Sequence, residues 1–300
     1  MGEEEKAAIK KSLEIIKVHY LPIKGGAPGS RYRSWEYCYS AFRSKKASRD
    51  ALAKELALYL SSYGMLRNSF LLQRDYKAHL KAVNICMSGD YDELWNLEQN
   101  EENKPKFIDL LFRKKGCLVH RLKNEAYVEK DPTGKERKHV PSDVLVSKIL
   151  LGVYGCVPGF DSLFTMGYWL IHDGQTVVDK HLSLDEKTFS DVYGMMRDYS
   201  PLLHIGGTKA PYPPMRYLDF ALWIIGQCAM DARSLLLDKK KKANRPLAVY
   251  KLVDEGVLAN PSQEALEKSL QEILPGLKWA ELLKNRKKAS REENGIKESV

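Results

Sequence analysis

A chain of 300 residues, 44% hydrophobic and 29% charged, is long enough for a full core and too balanced for a disordered or fibrous polymer. Its 48 Lys and Arg against 39 Asp and Glu leave a formal charge of +9, which favours anionic partners, although solvated surface lysines produce the same excess. Five dispersed cysteines, Cys38, Cys86, Cys117, Cys156 and Cys228, form no C-x-x-C or zinc-finger spacing, which argues against a disulfide scaffold and for reduced thiols.

Residues 5–18 place Ala8, Ile9, Leu13, Ile16 and Val18 at helical spacing, and Gly25 to Ser30 reads as a loop. Ser34 is placed to cap a second helix with Trp35 and Glu36 in its first turn. Leu52, Leu56, Tyr59, Leu60 and Tyr63 form one apolar stripe of a third helix, with Gly64 as its C′ residue. A fourth helix is expected from Ser69 to Cys86, and a short one over residues 107–115.

The segment from Ala126 to Val140 differs. Asp131-Pro132-Thr133-Gly134 is a turn sequence between Tyr127-Val128 and His139-Val140, which predicts a β-hairpin. Ser142-Asp143 then caps the apolar run Val144 to Val153. Ser183 with Glu186 reads as a capping box, and Pro214 suits the first turn of a long helix reaching about Asp238. Beyond the run Lys239 to Lys242, Asn260-Pro261 opens further helices, and the sequence turns polar after Arg286.

These elements predict an all-α fold: a multi-helix globular bundle with a small β-hairpin insert and a C-terminal helical extension. The expected segments are 1–124, 125–141, 142–240, 241–288 and a disordered tail 289–300. The acidic start Glu3-Glu4-Glu5 is wrong for a secretory signal, and the apolar run Phe220 to Met230 is too short to span a bilayer. A cytoplasmic protein is expected, nuclear if the host has a nucleus, with no membrane partner.

Three groups of residues carry candidate chemistry. Arg31, Arg33 and Trp35 belong to a basic and aromatic run, 31–39, in which guanidinium forks bind phosphate and flat rings stack on unpaired bases. The same mixture arises when aromatics pack inward and arginines reach outward. Arg67, Gln73, Arg74 and Lys77 surround Phe70 and would line an anion pocket, or else form a partly buried hydrogen-bond network.

In the third group a helix ends at Gly155-Cys156-Val157-Pro158-Gly159-Phe160-Asp161, and Val177-Val178-Asp179 follows a second helix. Residues 149–181 resemble the helix-hairpin-helix DNA glycosylases. The resemblance implies that amides around Gly159 bind a duplex phosphate and that Asp179 is the catalytic carboxylate. Phe160 departs from the small residue usual in that family. Leu163 stands near the lysine nucleophile of bifunctional members, and leucine forms no Schiff base. No cysteine cluster for an iron–sulfur centre follows. The strings Ser34-Trp35-Glu36-Tyr37-Cys38-Tyr39 and Tyr63-Gly64-Met65-Leu66-Arg67 are similar to bacterial helical proteins to which no activity attaches.

No P-loop, dinucleotide fingerprint, Gly-x-Ser-x-Gly or His-Glu-x-x-His is present, so no cofactor and no metal is expected. His172 and His181 beside Asp173 and Asp179 are the one local His/Asp concentration. Arg113 with His120, and Arg197 with His204, repeat a spacing too wide for the Arg/His pairs of helical ribonucleases. The leading expectation is a protein bound to DNA or RNA through phosphate contacts, with no assigned reaction. A protein-interaction module (adaptor, immunity or assembly factor) and a monofunctional glycosylase-like enzyme remain open beside it.

Overall fold

The computed structural model describes residues 31–67, 69–130, 133–173, 182–196 and 211–237. It is mostly helical, with one two-stranded antiparallel hairpin among the described residues. The first helix expected from the sequence, the run Lys239 to Lys242, the C-terminal extension and the tail lie outside them. The chain forms two compact units, one of residues 21–160 with 182–219, the other of 1–20, 161–181 and 220–300.

In the first unit, α1 (Arg31–Ser44) and α2 (Arg49–Ser62) pack together. The helix expected to open at Ser34 has already begun by Arg31. Ser34 is interior to it, and its hydroxyl lies 2.5 Å from that of Ser62 on α2 instead of capping a terminus. The buried stripe of α2 is as the periodicity predicts, with Leu52, Leu56, Tyr59 and Leu60 inaccessible to solvent. Gly64 ends this helix at φ +77°. The N–H of Met65 reaches the Leu60 carbonyl and that of Gly64 reaches Ser61, a pairing that needs a left-handed residue.

The expected helix over 69–86 is only half present. Ser69 Oγ accepts from the Leu71 amide, and Asp75 caps a 3₁₀ turn, Tyr76–His79, by accepting from the Lys77 amide. These local side-chain bonds compete with helical pairing, so regular helix starts only at α3 (Leu80–Cys86). A second 3₁₀ turn, Asp92–Trp95, precedes α4 (Lys104–Ile108), which opens three residues earlier than the short helix read from the sequence. It has Pro105 in its first turn and widens into a π-helical turn, Asp109–Arg113.

After α5 (Leu118–Asn124), β1 (Val128–Lys130) pairs with β2 (Glu136–Lys138) in the register Val128 to Lys138, Glu129 to Arg137 and Lys130 to Glu136. Ser142 caps α6 (Asp143–Val153), which is buried from Leu145 onward. Its last carbonyls are satisfied by indoles: Trp35 Nε1 donates to Leu151 O and Trp95 Nε1 to Val153 O, both at 2.9 Å. At Gly152 a Cβ would fall 2.5 Å from the Tyr59 ring, so only glycine lets α2 and α6 approach this closely.

Ser183 does not cap the next helix. The Leu184 amide is drawn to the Asp143 carboxylate at 2.8 Å, which keeps the chain extended, and Asp185 caps α8 (Glu186–Gly194). Pro214 stands in the first turn of α9 (Pro214–Leu237), as read from the sequence.

In the second unit, α7 (Ser162–Asp173) opens beneath Asp161, whose carboxylate accepts from the amides of Leu163 and Phe164. α7 packs on the later part of α9 through reciprocal glycines. A Cβ on Gly167 would strike the Leu222 carbonyl, and one on Gly226 the Leu163 carbonyl. Backbone thus meets backbone at this crossing, and no larger residue fits either position.

Candidate functional site

The basic and aromatic run 31–39 divides between surface and core. The side chains of Arg31 and Tyr32 lie outside the described residues. Arg33 is partly exposed, 3.7 Å from Glu36. Trp35 is inaccessible to solvent, stacked with Tyr39 and with Tyr212, each at 5.0 Å, and the Arg216 guanidinium lies 4.8 Å from its ring centre. In this position its ring is part of the core and meets no outside base.

Trp35 opens onto a buried ionic cluster that sequence reading missed. Arg216 Nη1 lies 2.5 Å from Asp219 Oδ2, and Arg216 Nη2 donates to the Tyr63 hydroxyl at 2.6 Å. Asp219 Oδ1 accepts the Gly159 amide at 2.8 Å and has Lys148 Nζ at 3.8 Å. Tyr212 donates to Glu36 alongside. Burial works against the charge on Arg216, but Tyr63 and Asp219 beside it more than offset that and hold its pKa above the ordinary value. The signal in the sequence was Lys148 in the middle of a mostly apolar helix, and Arg216 and Asp219 one turn apart among apolar neighbours. Both are easily taken for surface charges on a helix seen in isolation.

The glycosylase-like segment feeds the same cluster. Val157, Pro158, Gly159 and Phe160 are all buried. The Gly159 amide is held by Asp219 and the Phe160 amide by Ser147 Oγ at 3.0 Å, so both donors are engaged internally. Asp179 and His181 lie outside the described residues, as do the side chains of His172 and Asp173. Arg197 and His204 are outside them too, and Arg113 is paired with Glu186.

The second candidate group comes together in part. Arg74 and Lys77 line a cleft of about 240 Å³ with Asp75, Lys81, Tyr127 and Glu129. Arg67 and Gln73 are exposed near it in sequence but do not contribute to its wall. The 69–75 turns, in place of a regular helix, remove Gln73 from the side shared by Arg74 and Lys77. Lys81, the third cation, comes from the first turn of α3, and its ammonium donates to the Val128 carbonyl.

The far wall is β1. Glu129 Oε2 lies 2.7 Å from Arg74 and 3.9 Å from His139 Nε2, and its partner across the hairpin is Arg137. Tyr127 lines the cleft from within: it is buried, its hydroxyl 3.0 Å from His79 Nδ1. Phe70 stacks on His139, with centroids 4.8 Å apart and planes 10° apart, and meets the edge of Tyr127. Beyond the cleft the hairpin presents Lys135, Arg137 and Lys138 to solvent.

Elsewhere the chemistry is quiet. Cys38, Cys86, Cys117 and Cys156 are buried free thiols, and burial pushes the Cys86 thiol up to about 12, far from a reactive thiolate. Among the described residues no group of His, Cys, Asp or Glu is placed to hold a metal ion, and no helix is long and apolar enough to cross a membrane. No family model matches this chain, and comparison with curated proteins and with solved structures gives no significant match.

Proposed function

We propose that this protein binds nucleic acid through its phosphate backbone, with Arg74, Lys77 and Lys81 as the contacting cations. The observation that carries the reading is their convergence on one cleft, beside a hairpin that adds exposed Lys135 before β2 and Arg137 and Lys138 on it. Cations spread along an edge of this kind suit a repeating polyanion better than a small ligand, because each phosphate engaged releases a condensed counterion. The overall charge of +9 supports the same reading. No reaction is assigned: the buried Arg216, Asp219 and Lys148 offer no accessible group for one.

The test is a titration with labelled DNA and RNA at two salt concentrations. Binding should weaken steeply with salt, and the triple variant Arg74→Ala, Lys77→Ala, Lys81→Ala should reduce the slope of log affinity against log salt by roughly two to three. Each change is at the surface, so the melting temperature should hold. Absence of binding to any nucleic acid at low salt would overturn the reading and favour a protein partner.

A further inference from the structure

The cleft does not stand alone, and its surroundings say which form of nucleic acid suits it. Phe70, half-buried, stacks on His139, whose side chain keeps 15% of its exposure, and His139 reaches to 3.9 Å from Glu129 in the cleft wall. Two residues along from Phe70, Leu72 is 62% exposed. Next to His139, Val140 is 65% exposed. These are two of four large apolar side chains so exposed among the described residues, and both lie within two positions in sequence of one aromatic pair.

Resting on the phosphate-binding reading above, we infer that the site takes a single strand: its phosphates lie against Arg74, Lys77 and Lys81, and an unpaired base packs on the surface formed by Phe70, His139, Leu72 and Val140. A duplex offers this surface only phosphates and sugars, and setting Leu72 and Val140 against them would strip water from charged groups with nothing in return. A single strand alternates phosphates with bases whose faces are free, and rings and aliphatic side chains hold such faces with little regard for sequence. Cations in a cleft and an aromatic pair that approaches its Glu129 wall match that alternation. Glu129 links the two in the first unit, 2.7 Å from Arg74 in the cleft and 3.9 Å from His139 of the aromatic pair.

The experiment compares fluorescence anisotropy of a labelled single-stranded oligonucleotide of mixed sequence with that of its duplex. Wild-type protein should bind the single strand at least about tenfold more tightly, the scale of one stacked base. Phe70→Ala should remove most of that preference. Because Phe70 also touches the buried Tyr127, the exposed double variant Leu72→Ser, Val140→Ser gives a second reading. It should lower single-strand affinity several-fold, while duplex affinity and melting temperature stay unchanged. Arg74→Ala should weaken both forms together. Equal or tighter duplex binding, or a double variant with unaltered single-strand affinity, overturns the inference and leaves the phosphate reading standing. If neither form binds, the phosphate reading fails and the single-strand inference fails with it.

Discussion

The Arg216 guanidinium and the Asp219 carboxylate lie 2.5 Å apart, one helical turn from each other and both buried. Asp219 also holds the Gly159 amide and faces Lys148, so one carboxylate serves two buried cations and a backbone donor. Asp219→Asn keeps the size of the side chain and removes its charge, leaving Arg216 and Lys148 short of a buried counter-charge. Removing one partner of a buried pair costs about 3–5 kcal/mol. A change of that size should appear in a denaturant titration, and a loss below about 1 kcal/mol would show that the cluster is neutralised by other means.

At the cleft the prediction has the opposite sign. Glu129 occupies Arg74 and stands where an incoming phosphate would have to pair. Both side chains are over a third exposed, so the pair itself adds little to stability. Glu129→Gln should therefore leave the fold intact, raise nucleic-acid affinity several-fold at low salt, and steepen the salt slope by about one. Weaker binding in this variant would mean that Glu129 orients Arg74 for the ligand rather than competing with it.

His79 sets an acid limit on stability. Burial beneath Tyr127 lowers its pKa from 6.5 to about 4, so the folded protein holds it neutral. Between those values the unfolded chain binds the extra proton, and stability falls as pH drops from about 6.5 to about 4. The loss from this one group is on the order of 3 kcal/mol, since each tenfold difference in proton affinity between the folded and unfolded chain is worth about 1.4 kcal/mol. His79→Gln removes the titration and should flatten the stability profile across that window. Parallel profiles for the two proteins would assign the acid loss to other groups.

What the sequence determined by itself is the part of the structure governed by local rules. The stripe from Leu52 to Leu60, the left-handed stop at Gly64, the cap at Ser142, the hairpin over 128–138 and Pro214 in the first turn of α9 each follow from spacing or backbone preference within a few residues. The lining of the cleft was legible in half: Arg74 and Lys77 were read, while Lys81 and Glu129 were not, because the turns at 69–75 decide which side chains share a face. Tertiary structure alone decided the rest. Ser34 looks like a cap until Ser62 is brought to it, and Ser183 until Asp143 draws in the Leu184 amide. Trp35 has the same composition around it whether it stacks on a base or donates to Leu151 from within the core. Lys148 and Asp219, 71 positions apart, meet only after α6 and α9 have packed. Charge and ring chemistry are written in the sequence, but whether they face water or each other depends on contacts between distant segments, and no local pattern encodes those.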